Sequence, residues 1–345
     1  MAQFVLADDG IEFDGQTPGQ RPLGGVESSV IALMEELAAR GHDALVLNKC
    51  KAPLDHKGVR WRPIDETPWP EAADLYIANR GDKLIDRMPS AKRTVFWIHN
   101  PAKYLLKWRY LSKLWRLRPA IIFIGENHAT TYPKWAPGGD RVVIPYGLPD
   151  AFCEAEVLAE TPPPRAVFTS NPLRSLDWLL EIWAKDIQPH VPGAELHVFA
   201  GAATYGSVGD KSAGQMEAVL DKARALEDHG VRLRGPVPKE QLIEELRQSR
   251  TMLYRGDINE TFCLAVGEAQ AMGVPAVVEN LGSVSERVID GETGFVVSGS
   301  AAFADAAKRL LTDDDLWRSQ HLAALEQQRS WRWSQAAAAF EKLLA

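Results

Sequence analysis

The sequence contains few cysteines, no long hydrophobic run and no excess of positive charge. Its 345 residues include three cysteines, Cys50, Cys153 and Cys263, whose spacing matches no metal site. A sparse, odd number of cysteines is typical of a reducing compartment. No apolar run approaches the roughly 18 residues that a membrane-spanning helix needs, so no such helix is predicted. The formal net charge of −7 excludes a chain built throughout to bind nucleic acid.

The first residues also lack the features of a secretory leader. Residues 1–9 contain no basic segment and only a very short apolar run, so we predict no signal peptide. The overall composition, 46% hydrophobic and 25% charged, is that of an ordinary folded protein. We therefore expect a cytoplasmic, soluble protein whose contact with a membrane, if any, is peripheral at its inner face.

Short apolar runs alternate with helical patterns along the whole chain. This alternation predicts an α/β protein with parallel, doubly wound sheets. In the first half, a polar, glycine-rich loop separates the first strand from a helix that runs from Gly25 to Arg40. The predicted strands are residues 4–7, 44–47, 74–78, 94–98, 121–124 and 141–144, then 165–169, 195–200, 231–234, 251–254 and 275–278.

The length suits two α/β domains. Residues 150–164 are acidic and end in three prolines, which is typical of an inter-domain linker. We therefore predict a first domain over residues 1–149, a linker over 150–164, a second domain over 165–330 and a final helix within 331–345.

The most informative stretch is residues 259–275. It predicts a helix from Thr261 to Met272 that ends at Gly273, with Glu260 at its start and Glu268 in its middle. Eight residues advance a helix by about 12 Å and leave the two glutamates about 80° apart around its axis. That separation is too large for the carboxylate pair of a glycosidase, which needs about 5–9.5 Å. It suits a grip on the two ends of an elongated ligand.

The first turn of this helix lies between the two glutamates. Its backbone N–H groups and the positive end of the helix dipole can bind a phosphate or diphosphate. A ligand with hydroxyls at each end and a diphosphate between them is a nucleotide sugar. The alternative is that Glu260 only complements the helix dipole and that Glu268 is a solvated helix residue. The candidate donors of the first turn are Thr261, Phe262, Cys263 and Leu264.

Two candidate ligand-binding positions in the first half of the chain can equally have a purely structural role. Gly24 and Gly25 at a helix start let the backbone approach a phosphate closely, but they can also form a tight turn. His99 follows the predicted strand 94–98, at the sheet edge where open parallel sheets hold ligands. A single histidine there can also be structural.

Residues 103–118 predict a helix that is basic and aromatic, with no acidic residue. Arg109, Lys113 and Arg116 cluster between two apolar stripes, one of which can pack while the other stays exposed. This pattern suits the surface of an anionic membrane, so we expect the helix to hold a lipid-linked or otherwise anionic acceptor. The alternative is that both stripes are buried beside a solvated basic edge.

The string Glu-x-Phe-x-Leu-x-x-x-Glu-Ala-x-Ala-x-Gly-x-Pro, which begins at Glu260, resembles the signature of the family 4 retaining glycosyltransferases. The resemblance implies the GT-B fold, in which two Rossmann-like domains face a cleft that holds the donor. Gly-Gly-Val-Glu from Gly24, followed by a helix and Arg-Gly-His from Arg40, is similar to the family's opening. In relatives the last helix packs back on the first domain.

The resemblance also implies roles for individual residues. Glu268 would hold the ribose hydroxyls, Glu260 would hold hydroxyls of the donor sugar, and the backbone amides of residues 262–264 would bind the diphosphate. Arg174 stands where relatives carry a lysine that contacts the diphosphate, whereas Thr169 replaces a second cation of the family. The remaining implied donor contacts are Gly24 and Gly25 at the phosphates, His99 at the sugar and residues around Val237 at the base.

The expected function is retaining, metal-independent transfer of a hexose-like sugar from a nucleotide diphosphate sugar to a saccharide or lipid-linked acceptor. Such an enzyme would serve bacterial polysaccharide or glycolipid biosynthesis. No cofactor and no metal site are expected, because a helix dipole and basic side chains stabilise the leaving diphosphate in the family. Two alternatives remain, a sugar-nucleotide epimerase of the GT-B fold and a degenerate nucleotide-sugar-binding protein, the latter suggested by Thr169.

Overall fold

The computed structural model of the chain describes residues 1–21, 23–157, 160–201 and 206–344, and only the backbone of 206–211. The chain forms two compact units, one made of Met1–Gly147 with Trp333–Ala345 and the other of Leu148–Arg332. Each unit has its own apolar core around one sheet. No helix in the described part of the chain is both long and apolar enough to cross a membrane.

The first unit contains a sheet of eight strands in the order β3-β4-β2-β1-β5-β6-β7-β8. All neighbours run parallel except β3 and β4, which form an antiparallel hairpin. The central strands are apolar and buried on both faces, as parallel strands covered by helices must be. The strands are β1 Gln3–Asp8, β2 Asp43–Asn48, β3 Leu54–His56, β4 Val59–Pro63, β5 Leu75–Asn79, β6 Arg93–Trp97, β7 Ala120–Phe123 and β8 Arg141–Val143; the helices are α1 Gly25–Ala39, α2 Trp108–Leu117 and α3 Glu126–Thr130.

The second unit contains a wholly parallel sheet of six strands in the order β11-β10-β9-β12-β13-β14. Its helices are α4 Asp150–Cys153, α5 Leu176–Ile182, α6 Gly206–Ala225, α7 Lys239–Arg247, α8 Leu264–Ala271, α9 Ser300–Thr312 and α10 Asp314–Gln328. Its strands are β9 Arg165–Phe168, β10 Glu195–Val198, β11 Val231–Leu233, β12 Thr251–Leu253, β13 Ala276–Glu279 and β14 Gly294–Val297.

The final helix, α11 Trp333–Glu341, belongs to the first unit. Its Phe340 packs edge-on against Trp97 at the end of β6, with ring centroids 5.3 Å apart. Its Glu341 is ion-paired with Arg40 at 2.7 Å, just beyond the end of α1. Apolar packing and this ion pair together join α11 to α1 and the sheet.

Three segments differ from the sequence-based expectation. The expected linker over 150–164 begins with α4, whose Phe152 and Cys153 are buried in the second core, and residues 158 and 159 lie outside the described part. The expected helix over 103–118 is a 3-10 turn, Ala102–Leu106, followed by α2, because Lys107 is extended and breaks it. The hairpin of β3 and β4 was not predicted, although the alternating burial of Val59–Pro63 follows from its sequence.

In each sheet there is one point from which successive strands are added first toward one edge and then toward the other. In the first unit this switch lies between β1 and β5, and in the second it lies between β9 and β12. Open parallel sheets bind ligands beyond the carboxyl ends of the strands at such a point. The residues that follow these four strands are therefore the first place to look for a site.

Candidate active site

Helix α8 begins three residues later than its sequence predicts. Cys263 takes up a left-handed conformation, with φ of +66°, and the helix starts at Leu264. Its first-turn N–H groups are therefore those from Leu264 onward, and Thr261 and Phe262 lie in the loop before the helix. A non-glycine residue in this conformation costs about 1–3 kcal/mol, and such residues concentrate at functional sites.

Glu260 is buried just before this turn. Its Oε2 accepts a hydrogen bond from the Arg174 guanidinium at 2.5 Å and another from the Tyr254 hydroxyl at 2.8 Å. Tyr254 follows β12 and Arg174 follows β9, so both partners come from the switch point of the sheet. Burial raises the pKa of Tyr254, which keeps its hydroxyl protonated and able to donate. The Glu260 carboxylate is therefore fixed by two donors.

Gly282 allows the next loop to approach Glu260 closely. Its φ of +60° suits glycine, and a Cβ there would lie 2.7 Å from the backbone oxygen of Glu260. The same oxygen accepts a hydrogen bond from the Ser283 N–H at 2.9 Å. Two loops at the carboxyl edge of the sheet therefore hold Glu260 in position.

Glu268 is not a solvated helix residue, so that alternative is wrong. Its side chain is only 6% exposed, and both carboxylate oxygens accept hydrogen bonds from the Lys239 ammonium at 2.6 Å. Lys239 is the first residue of α7, and its ammonium also lies 5.4 Å from the centre of the Phe152 ring. The chain thus buries Glu268 on α8 beside a cation from another helix.

Sequence reasoning missed two cations near α8, Lys239 and Arg287. The Arg287 guanidinium stacks 4.4 Å from the centre of the Phe262 ring, and burial lowers its pKa. Its Nε has no hydrogen-bond partner among the described residues. Lys239 could have been noticed in the sequence, because a cation in the first turn of a helix is unfavourable for the helix dipole and suggests an acidic partner elsewhere. Arg287 carried no such signal.

In the first unit, His99 lies in a buried chain of hydrogen bonds beyond the sheet edge. Its Nε2 is 2.5 Å from Asn79 Oδ1, and its Nδ1 is 2.5 Å from the Tyr146 hydroxyl. Because the amide of Asn79 donates to Asp8 through Nδ2, its oxygen faces His99 and accepts from Nε2–H. Burial lowers the pKa of His99 well below its usual value, so the ring is neutral. Contact with a substrate through a ring nitrogen would replace one of these bonds.

Gly24 precedes α1 and makes room for a carboxylate of the same helix. A Cβ on Gly24 would lie 2.7 Å from Glu27 Oε2, while Glu27 Oε1 accepts from Arg80 at 2.9 Å. Arg80 also pairs with the buried Asp8. Burial opposes the charge of Arg80, but the two carboxylates outweigh it and raise its pKa. The phosphate contact expected of Gly24 and Gly25 stays a prediction beside this internal ion-pair cluster.

The other predicted residues lie further from α8 along the chain. Val237 is half-buried against the second core, two residues before Lys239. Thr169 directly follows β9, so the cation expected by resemblance is absent from that position. Among the described residues, no group of three or more histidine, cysteine, aspartate or glutamate side chains is placed to hold a metal ion.

The predicted basic cluster on α2 is partly neutralised. The Lys113 ammonium bonds to the Asp86 carboxylate at 2.7 Å and to the Asp82 carbonyl oxygen at 2.9 Å. Arg109 and Arg116 contact Asp82 and Asp86 more loosely, at 3.5 Å. Lys113 is therefore the least available of the three cations, and the anionic acceptor expected at this helix stays a prediction.

Part of the second unit is similar in sequence to known proteins. Residues 164–313 match the family model described as "Glycosyl transferases group 1". A D-inositol 3-phosphate glycosyltransferase of Corynebacterium diphtheriae is 36% identical over 117 residues, which cover 33% of this chain and 27% of that protein. The protein of that name from Nocardia farcinica is 30% identical over 170 residues, covering 48% and 36%. The chain thus matches only about a quarter to a third of these relatives' length.

Solved structures extend the likeness to the whole chain. Sucrose-phosphate synthase from Thermosynechococcus elongatus superimposes with a TM-score of 0.73 at 18% identity, covering 99% of this chain and 98% of that one. An Anabaena protein, HepE, in complex with UDP and glucose gives 0.71 at 14% identity, covering 100% and 99%. These structures confirm the predicted fold, and the match over residues 164–313 confirms the predicted resemblance. The chain resembles the group 1 glycosyltransferases over residues 164–313, and as a whole it has the GT-B fold.

Proposed function

We propose that the chain is a retaining glycosyltransferase that moves a sugar from a nucleotide diphosphate sugar to a saccharide or lipid-linked acceptor. The observation that carries the proposal is the pair of buried glutamates, Glu260 and Glu268, each bonded to a cation beside α8. Burial of a carboxylate is costly even beside a cation, so two buried carboxylates at one helix suggest that they bind a ligand. The names of the relatives and the UDP and glucose bound by HepE support the same donor class.

The leaving diphosphate would be held by the first turn of α8 and by Arg174. The N–H groups of that turn and the positive end of the helix dipole favour an anion. A guanidinium has five N–H donors, so contact with Glu260 through Nη1 is compatible with a bidentate hold on phosphate oxygens. This electrostatic stabilisation of developing charge is the main contribution we assign to the protein.

We assign the two glutamates to opposite ends of the donor. Glu268 would bind the ribose hydroxyls and Glu260 the hydroxyls of the transferred sugar. The acceptor hydroxyl oxygen would bond to the anomeric carbon on the face from which the diphosphate leaves. The sugar–phosphate bond breaks, and a phosphate oxygen takes the acceptor's proton. No protein base is then needed, which agrees with a Glu260 carboxylate already bonded to Arg174 and Tyr254.

Two further parts of the proposal, retention and metal independence, can be measured directly. Retention predicts that the anomeric configuration of the donor persists in the product, which proton NMR of the glycoside reports. Metal independence predicts unchanged turnover in excess EDTA, because cations and backbone dipoles hold the diphosphate. Inversion of configuration would contradict the first assignment, and loss of activity restored by Mg²⁺ would contradict the second.

The first test of the donor site is thermal stabilisation by UDP, GDP, ADP, dTDP, CMP and NAD. A ligand at 100 times its Kd adds about 2.7 kcal/mol of stability. We expect one diphosphate nucleotide to stabilise the chain and to lose most of that effect with Glu268→Ala. The matched control is Glu279→Ala, another buried glutamate with a cationic partner, in this case Arg255, but outside α8. Equal losses in both variants would contradict a specific role for Glu268.

With the donor identified, kinetics separates the two glutamates. Glu268→Ala should mainly raise the donor KM, and Glu260→Ala should mainly lower kcat. Each change should be about 10- to 100-fold, the value of hydrogen bonds to a charged group. Negligible effects from both would reject the assignment. Conversion of the donor without any acceptor would favour the epimerase alternative, and binding without turnover would favour the binding protein.

A further inference from the structure

Helix α2 exposes two tryptophans on one side. Trp108 is 80% exposed and Trp115 is 73% exposed, and seven residues of helix place them within about 20° of each other. The other side of α2 packs on the first core through the buried Tyr110 and Leu114. Exposed tryptophans are unusual on a folded protein but frequent at membrane–water interfaces, where the ring sits at the level of the headgroups.

Positive charge surrounds these tryptophans. Lys107 and Arg118 are exposed at the two ends of α2 and form no ion pair with any described residue. Arg109 and Arg116 flank the tryptophans, remain 60% and 65% exposed, and reach acids only at 3.5 Å. Lys113 contributes little because Asp86 already neutralises it. The sequence of α2 contains no acid, although the whole chain carries a net charge of −7.

A groove opens at the carboxyl end of α2. It has a volume of about 920 Å³ and a mostly polar lining that also includes the apolar residues Leu117 and Pro119. Four cations and two acids line it, and two of the cations, Lys92 and Arg93, already pair with acids. The net positive charge of this lining suits the phosphate of a lipid headgroup. The cations and acids of the lining are Lys92, Arg93, Arg116, Arg118, Asp86 and Asp140.

We propose that this α2 surface, namely Trp108, Trp115, the flanking cations and the groove, docks on an anionic phospholipid bilayer. The tryptophans would enter the interface while Lys107, Arg109, Arg116 and Arg118 contact lipid phosphates. An apolar stripe flanked by charge of one sign is the pattern of helices that lie on membranes. Each cation near an anionic surface contributes about a fivefold gain in affinity.

Vesicle co-sedimentation tests the proposal with the full chain and without any need for transfer activity. We expect binding to vesicles that contain phosphatidylglycerol, no binding to pure phosphatidylcholine, and release as salt screens the charge. Trp108→Ser with Trp115→Ser should weaken binding about tenfold or more, because affinity scales with the apolar area buried. Leu322→Ser, at another exposed apolar residue, is the control and should bind as the original chain.

A second pair of variants isolates the charge. Lys107→Gln with Arg118→Gln should weaken binding about 25-fold, fivefold for each cation. Lys185→Gln with Lys342→Gln removes the same charge from exposed positions off α2 and should have little effect. Since all these side chains are exposed, every variant should fold, which a thermal melt verifies. The proposal is overturned by absent binding, by equal binding to neutral vesicles, or by tryptophan and charge variants that bind as the original chain.

Discussion

Burial keeps two histidines of the first unit, His99 and His128, neutral. His128 is fully buried; its Nδ1 accepts from the Ile124 N–H at 3.2 Å, and its Nε2 lies 2.8 Å from the Asn100 carbonyl oxygen. A second proton on the ring would oppose the Ile124 donor. Burial accordingly lowers the pKa of His128 from 6.5 to about 4.

This depressed pKa predicts a loss of stability in mild acid. As the pH falls below 6.5 the unfolded chain binds a proton before the folded chain does, so stability present above pH 6.5 is lost down to about pH 4. His128 contributes up to about 1.4 kcal/mol per pH unit, and His99 acts in the same direction. Urea unfolding at several pH values should show a shallower dependence for His128→Gln. The exposed control, His190→Gln, should keep the original slope; equal slopes in all three chains would contradict the assignment.

At the scale of residues, the sequence is a better guide to the functional side chains than to the residues that contact them. Glu260 and Glu268 stand out because a helix carries them at a fixed spacing. Their partners, Arg174 and Lys239, are distant in sequence and meet them only through the sheet order. Arg174 was found by resemblance, whereas Lys239 and Arg287 were not found. Periodicity determines which face of an element a residue occupies, but not which loop lies opposite.

Among the elements, α7 and α8 are joined by one ion pair. The first residue of α7, Lys239, donates to both oxygens of Glu268 in the middle of α8. The carboxylate is buried, whereas the lysine side chain is 52% exposed. The pair therefore stabilises the position of α8 mainly by preventing an uncompensated buried charge.

Lys239→Met should consequently destabilise the second unit. Breaking a fully buried pair costs about 3–5 kcal/mol. Exposure of the lysine lets water screen the charge that remains, so we expect about 1–2 kcal/mol by urea unfolding. Lys239→Arg should restore most of the loss, and Lys185→Met at an exposed position should cost little. A Lys239→Met chain as stable as this control would show that water alone satisfies Glu268.

Element boundaries are the least predictable part of this fold. The sequence of residues 261–272 favours a helix throughout, yet Cys263 turns left-handed and delays α8 to Leu264. The pattern of 103–118 likewise favours one helix, but Lys107 is extended and separates Tyr104 from the stripe of Trp108. In both cases tertiary contacts override a continuous local preference, since Tyr104 packs on the first core and Cys263 is buried in the second.

On the scale of the whole molecule, the second unit interrupts the first in the order of the chain. The chain enters the second unit at Leu148 and leaves it at Arg332, and these two residues pair as a parallel bridge. The alternation of strands and helices predicted both sheets and the doubly wound architecture. Nothing in the composition of residues 333–341 indicates which unit they join; only the family resemblance suggested the first domain.

Removal of residues 333–345 should therefore weaken the first unit selectively. It uncovers Trp97, against which Phe340 packs, and frees Arg40 from Glu341. Loss of one buried phenylalanine alone costs about 3–5 kcal/mol, so Phe340→Ala should reproduce much of the effect. Hydrogen exchange should then rise in residues 1–147 while 148–332 stay protected. Equal deprotection of both regions would contradict the division into two units.

The late position of α11 in the chain also determines the order of events during synthesis. A ribosome completes every strand of the first sheet early, then the entire second unit, and only afterwards the helix that covers Trp97. Domains fold as units while the chain emerges. The second unit can therefore reach its final state while the first still exposes apolar surface, and the nascent first unit is the part that would most need a chaperone.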